Sequence, residues 1–253
     1  MVGFTFCGRH SFRDFGIYMK SKDRTLLPER RRRQLEIPLR HGLYTFSGAT
    51  YDIRVHTISC CAVTSGLVQF RQRIRDIAGW LSGTGELIYD DEPDKAYTAT
   101  VYSSIPLEQV VSAGLFDLVF ECQPFAAGQM QTEIYTLADC GQTVSVQFGG
   151  TAETPCHVTI TNAGEVYAPY IRLRHLHQDG ETEVITLPLG LLPGDILELD
   201  SDKYEISLNR EALYDRYSAQ YLWLRPGSNQ LTYEDDADSR RLTLELSYRP
   251  NYV

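Results

Sequence analysis

The sequence predicts a mainly β protein with one amphipathic helix, whose C-terminal part is a β-sandwich or jelly roll. Three observations lead there. Many short segments alternate polar and apolar residues at period 2, the pattern of a strand with one buried face. A single stretch carries an apolar stripe at helical spacing. Beyond about residue 135, turn signals punctuate the chain at short, even intervals, as they do in sandwiches and jelly rolls. The 253 residues suffice for one large domain or two ordinary ones. With 43% hydrophobic and 23% charged residues the chain reads as globular rather than disordered. Its 16 Tyr against 3 Met add to the β lean, because Tyr suits a half-buried pleated surface.

Taken in order, Phe4–Phe6 reads as a short strand, followed by a turn at Gly8-Arg9-His10-Ser11 and apolar side chains at Phe12, Phe15, Ile17 and Tyr18. From Lys20 to Arg33 the chain is basic and ends in the run Arg30-Arg31-Arg32-Arg33. Residues 33–38 then alternate, with Leu35 and Ile37 as the apolar positions, and Pro38 ends that strand or places it at an edge because proline cannot donate to a ladder. His41-Gly42 is the expected turn, and residues 51–58 alternate again as a longer strand. Over residues 66–82, Leu67, Phe70, Ile74, Ile77, Trp80 and Leu81 recur at spacings of three and four, so a helix is predicted with Ser65 as N-cap, Gly83 as its stop and Trp80 anchoring its end on a sheet. Strands resume over residues 86–89, 95–102 and 116–122. The pattern changes character over residues 123–138 and places the domain boundary near 135, with residues 1–135 as one domain and 136–253 as the other. In the second domain strands are predicted over 143–148, 156–161, 170–176, 182–187, 196–199, 205–208, 222–224, 230–233 and 242–248, with one short helical stretch near 211–216.

The net charge of −9 is unevenly spread. Residues 1–80 hold 14 Lys/Arg and 6 Asp/Glu, a net of +8, and residues 81–253 hold 10 and 27, a net of −17. A basic region can serve nucleic acid, but opposed potentials can equally register one copy of a chain on the next. The overall acidity and the absence of aromatic platforms beside Arg30–Arg33 favour the second reading. Nothing at Met1–Phe6 resembles a signal peptide, and no apolar run reaches the ~18 residues of a membrane span.

Chemistry is hard to find. The cysteines at 7, 60, 61, 122, 140 and 156 form no C-x-x-C and no zinc pattern, and are expected to be buried, reduced thiols. His175 and His177 stand two apart on a strand and point to one face, but without a third ligand nearby they are read as polar residues on a solvated face. Asp200, Asp202, Asp235, Asp236 and Asp238 match no calcium loop and read as solvated turns. There is no G-x-S-x-G, Walker loop or G-x-G-x-x-G, and no carboxylate pair stands out for hydrolysis. No catalytic residue, cofactor or metal is therefore assigned, and an enzyme is not expected.

Several segments together resemble the N-terminal region of siphophage distal tail proteins, the tail component of long-tailed phages of Gram-positive hosts. They are Phe12-Arg13-Asp14-Phe15-Gly16-Ile17-Tyr18-Met19, the basic Pro28-Glu29-Arg30-Arg31, Glu36-Ile37-Pro38-Leu39-Arg40-His41-Gly42, the strand opening Tyr51-Asp52-Ile53-Arg54, and the helix ending in Trp80-Leu81 with its Gly-rich exit to Leu87-Ile88. The closing Leu242–Val253, with Tyr248-Arg249-Pro250, is similar too. The resemblance implies a ring of six copies, single or stacked, built from the N-terminal domain, each copy with a β-sandwich core, the helix of about residues 66–82, and a hairpin arm over about residues 20–45 that packs on the neighbour. It implies a galectin-like C-terminal sandwich outside the ring. It also implies a hub role: tail tube protein above, tail-associated or tail-tip protein below, and a channel through which DNA passes without specific binding. The implied location is the virion tail tip, after assembly in the host cytoplasm and with no membrane partner. Arg30, Arg31, Arg32, Arg33, Leu35 and Ile37 are expected in the inter-subunit arm.

The competing function is a carbohydrate-binding host-recognition protein. Trp223 is the only Trp of the C-terminal half, but the galectin motifs His-x-Asn-x-Arg and Trp-Gly-x-Glu are absent. Trp223 is flanked by leucines, so alternation alone does not set its face, and core packing is expected over sugar stacking.

Overall fold

The computed structural model describes residues 3–46, 50–62, 67–102, 115–187, 189–213, 221–237 and 240–253, with the backbone alone over 67–72. The expected N-cap Ser65, the side chains of Leu67 and Phe70, residues 214–216 of the expected short helix and Asp238 lie outside the described residues. The chain divides into two compact units between Ala127 and Gly128, earlier than the boundary expected near 135.

The first unit opens with β1 (Phe4–Phe6) and β2 (Arg9–His10), a tight hairpin whose turn uses left-handed Cys7 and Gly8. A five-residue helix, α1 (Ser11–Phe15), follows where the sequence suggested only a turn. His10 caps it: its Nδ1 accepts from the backbone N–H of Phe12 and Arg13, an N-cap role outside the usual Ser/Thr/Asp/Asn set. Gly16, in the left-handed region at φ 65°, stops it. Next come β3 (Ile17–Arg24), the short strands β4 (Arg30–Arg31), β5 (Gln34–Glu36), β6 (Leu43–Thr45) and β7 (Thr50–Tyr51), and β8 (Arg54–Ala62). The helix α2 (Leu67–Leu81) leads to β9 (Thr84–Tyr89), β10 (Glu92–Val101), β11 (Leu115–Cys122) and β12 (Ala126–Ala127).

One antiparallel path runs β2-β1-β9-β10-β11-β8-β3. In a flat sheet, β1 and β11 would stand about 14 Å apart, three strand spacings. Yet the Phe120 ring of β11 lies 5.9 Å from Phe4 and 5.2 Å from Phe6 of β1, edge-on to both. The sheet is therefore strongly rolled, and its two halves face each other across an aromatic core. Its far rim agrees: Arg24 of β3 bonds Glu92 at 2.9 Å, and His56 of β8 reaches the Tyr89 hydroxyl of β9 at 3.1 Å. Trp80 plugs the roll. It stacks on Phe15 at 4.2 Å and on Phe4 at 5.8 Å, and its indole N–H donates to the Phe6 carbonyl at 2.7 Å. The helix is thus anchored at its C-terminal end, as its stripe predicts.

The second unit begins with β13 (Gln131–Leu137), a strand the sequence did not separate from the region of changing character. It continues with β14 (Thr143–Phe148), β15 (Thr154–Pro155), β16 (His157–Asn162), β17 (Ile171–His177), β18 (Thr182–Leu187), β19 (Ile196–Asp200), β20 (Glu205–Leu208), β21 (Glu211–Ala212), β22 (Trp223–Leu224), β23 (Gly227–Glu234), β24 (Leu242–Tyr248) and β25 (Asn251–Tyr252). One sheet runs β13-β24-β16-β19-β20-β21 and a second runs β14-β23-β17-β18. Inward residues of both, including Val158, Ile160, Leu244 and Leu246 from the first and Val146, Leu173, Ile185 and Leu231 from the second, form one core. That is a β-sandwich. Glu211–Ala212, expected in a helical stretch, pairs with β20 as strand.

Candidate functional site

The feature that the fold leaves unpartnered is a hairpin arm on the first unit. Its base is the long antiparallel pair of β3 and β8. Beyond Arg24 and before Arg54 the chain continues as a two-stranded ribbon. Arg30 and Arg31 pair with Tyr51 and Thr50, and Gln34, Leu35 and Glu36 pair with Thr45, Tyr44 and Leu43. The return strand therefore lies further along the chain than an arm of about residues 20–45 would hold.

The tip is a turn with a specific cost. The Arg40 N–H donates to the Ile37 carbonyl at 3.1 Å, Pro38 holds the first central position, and Leu39 holds the second at φ 68°. This is a type II turn, whose second central position favours Gly because an L side chain is crowded there. The expected turn residue Gly42 is also left-handed, at φ 78°, but lies two residues past this tight turn.

Apolar side chains cover the arm in the open. Leu39 is 106% exposed, Leu26 90%, and Leu35, Leu43, Tyr44 and Phe46 are exposed as well. Ile37 is half-buried. The four arginines divide into two pairs. Arg31 donates to Asp52 at 2.8 Å, which holds the Asp52 carboxyl below its usual range, and Arg30 donates to the Tyr51 hydroxyl at 3.2 Å. Arg33 sits over the Phe46 ring, and among the described residues neither Arg32 nor Arg33 has a carboxylate within ion-pair distance. Among the described residues Arg31 alone of the run is paired with a carboxylate, so Arg30, Arg32 and Arg33 present unneutralised charge.

The charge asymmetry is smaller when the chain is divided between Ala127 and Gly128. Residues 1–127 hold 15 Lys/Arg and 14 Asp/Glu, a net of +1, and residues 128–253 hold 9 and 19, a net of −10, which together restore −9. The acidity belongs to the second unit, and the basic surplus is local to the first 80 residues.

Other positions singled out in the sequence fall differently from expectation. His175 and His177 are buried, at 0% and 3% exposure, not on a solvated face: they continue the inward parity of Ile171 and Leu173 on β17. Burial, and then the neighbouring His177, push the pKa of His175 down to about 4. Trp223 is half-buried and turned away from the core that takes Leu222 and Leu224. It lies near Tyr204, which packs edge-on with Tyr221. Asp235 is buried rather than solvated and accepts from Tyr233 at 2.8 Å and from Arg240. Asp200 does cap a turn, accepting from the N–H groups of residues 202 and 203. Cys60, Cys122 and Cys156 are buried, Cys61 is intermediate, and Cys7 and Cys140 are exposed; all six are free thiols. Among the described residues no helix is long and apolar enough to cross a membrane.

An exposed, strained, apolar arm on a rolled β unit, joined to an acidic β-sandwich, describes a structural subunit made to be packed against others. Residues 16–122 match the phage tail protein RIFT-related domain, and residues 149–252 match the siphovirus-type tail component, C-terminal domain, so the two matches take in most of the chain. The fold also matches the solved structure of the Dit protein of phage SPP1, described as a paradigm of the hub adsorption apparatus in phages infecting Gram-positive bacteria, with a TM-score of 0.73 at 14% identity over 100% of both chains. A phage P2 baseplate in its activated, calcium-containing conformation aligns with a TM-score of 0.43 at 10% identity, again over 100% of both chains. No curated protein sequence matches the chain. The matches define a structural component of a phage tail. More narrowly, the chain belongs to the siphophage distal tail protein family, which is a structural family of the virion tail.

Proposed function

We propose that this chain is the hub subunit of the tail tip: six copies close into a ring that joins the tail tube protein to a tail-associated or tail-tip protein and leaves a channel through which DNA passes. Assembly takes place in the host cytoplasm. The observation that carries the reading is the arm. A protein that leaves a row of large apolar side chains in the open on a ribbon, one of them forced into a glycine conformation, gains by covering them. A head-to-tail contact closes into a ring when two different faces of one chain are complementary. The arm, with Arg32 and Arg33 unneutralised, supplies one such face, and Leu35 and Ile37 belong to its contact. Light scattering with negative-stain imaging tests the reading. Rings of six, single or stacked, support it. A monomer that stays monomeric at high concentration, and with the tube and tip partners added, defeats it.

A second reading has one observation in its favour. Trp223, Tyr204 and Tyr221 form an aromatic patch at the surface of the second unit, where a sugar face can stack. Binding to host cell-wall glycan that is lost in Trp223→Ala would assign carbohydrate recognition to this patch. Equal binding by both forms would remove it.

A further inference from the structure

We propose that His175, His177 and Glu183 form a zinc-class divalent metal site at one end of the second unit's sandwich. One ligand atom from each residue lies within 4.8 Å of the others. The topology brings them together: His175 on β17 pairs directly with Glu183 on β18, and His177 follows two residues on, on the same face. The separation of His177 Nε2 and Glu183 Oε1, 3.5 Å, is close to the roughly 3.3 Å between two ligands of a tetrahedral zinc.

The decisive point is the way His175 is held. The Asn229 amide nitrogen donates to the carbonyls of Arg225 at 2.8 Å and Gly227 at 3.2 Å, and its Oδ1 accepts from the Arg225 backbone N–H at 3.1 Å. The amide therefore cannot be turned over, and Oδ1 faces His175 Nε2 at 3.0 Å. Nε2 must carry the proton. Nδ1 is left with a bare lone pair, buried and without a hydrogen-bond partner among the described residues; both ring nitrogens of His177 are likewise buried without a hydrogen bond, Nε2 having only the Glu183 carboxylate at 3.5 Å. Buried polar atoms of this kind are rare, and each asks for an explanation. A ligating histidine whose other nitrogen donates to an oxygen of the supporting shell is the usual architecture of a zinc site. The surrounding charge suits a dication. Arg225 lies at the rim and is held by Glu183 at 3.0 Å, Glu153 at 3.3 Å, Glu181 at 2.5 Å and Asp179 at 3.5 Å, a surplus of carboxylate. Two imidazoles and one carboxylate with an open fourth position for water favour zinc and its first-row neighbours over calcium or magnesium. Such an ion would tie β17 to β18 and, through Asn229, to β23.

The test uses the full chain, stripped with chelator and kept reduced, and titrated with cobalt(II) and then zinc chloride. One cobalt per chain, with weak visible d–d bands, no thiolate charge-transfer band, and displacement by zinc, is the expected result. Glu183 sits at the rim and is partly exposed, so Glu183→Gln keeps the fold by circular dichroism while losing at least about tenfold in affinity. His177→Ala abolishes binding, and if that variant does not fold, Glu183→Gln decides alone. Failure to take up either metal, a thiolate band, or unchanged affinity in folded Glu183→Gln would each overturn the site.

Discussion

Leu39→Gly separates what the arm does for the chain from what it does for an assembly, because the two effects are expected to differ in kind. In the free subunit Leu39 buries nothing, at 106% exposure, and its φ of 68° carries the penalty of a left-handed L residue, about 1–2 kcal/mol. Glycine removes that strain but adds its own backbone entropy, about 0.5–1 kcal/mol. The chain's stability should then stay the same or rise by about 1.5 kcal/mol at most, read from urea unfolding. Docked on a neighbour, a leucine going from full exposure to burial contributes about 1.5–3 kcal/mol, and glycine forfeits it. At 1.4 kcal/mol per decade, the concentration at which subunits associate should rise by about one to two orders of magnitude. Mass photometry across a dilution series measures it. If the association midpoint is unchanged, Leu39 is not at the contact. If the urea midpoint instead falls by more than 1 kcal/mol, the side chain supports its own chain and the reasoning about the turn is wrong.

Three further perturbations follow. Arg32→Glu with Arg33→Glu should weaken association and flatten its salt dependence, whereas the same change at Arg31, already paired with Asp52, should do less; equal effects at all three would show that position within the run does not matter. Trp80→Ala should cost about 3–5 kcal/mol by opening the aromatic core and leaving the Phe6 carbonyl without its donor, and a shift in urea midpoint below about 1 kcal/mol would contradict the packing described. His56 is buried, and its pKa is pushed down to about 4, first by burial and then by Arg24, Arg54 and Lys22. Its unfolded form takes up a proton below about pH 6.5 while the folded form does not, so its contribution is complete above that pH and is lost as pH falls toward 4. By pH 4.5 that loss is of order 2–3 kcal/mol. His56→Gln should show an acid-induced fall in stability smaller by about that amount, and an identical pH profile would exclude His56 as the cause.

Much of the strand order could be read directly, because alternation reports which face is wet. The strands at Thr143–Phe148, Thr182–Leu187, Glu205–Leu208 and Leu242–Tyr248 fall where the pattern puts them, and the stripe ending at Trp80 fixes the helix. What was not legible depends on pairing between distant residues. Rolling of the first sheet rests on Phe4, Phe6 and Phe120 meeting across three strand spacings, and no local pattern encodes that. The strand Gln131–Leu137 hid because its first three residues, Gln131, Thr132 and Glu133, are all polar, and its partner lies over a hundred residues away. His175 and His177 were misread for an instructive reason. Histidine was taken as a sign of water, although both share the parity of Ile171 and Leu173, and that parity was the better guide. Trp223 was misplaced by its leucine neighbours in the same way, since in a strand adjacent residues face opposite sides. For the arm, composition located the basic run but could not show that Arg31 is already spoken for by Asp52.

The ribbon carries a consequence for timing. It has two backbone pairs near its base and three near its tip, and most of its described side chains are exposed. Two strands alone are marginally stable in water. On the reading proposed above, the arm therefore acquires a lasting shape when a neighbour arrives, so for these residues the last step of folding and the first step of building the tail are one event. A lone subunit must wait for company to become its final self, which makes joining slow to begin and quick to finish once a first pair has formed.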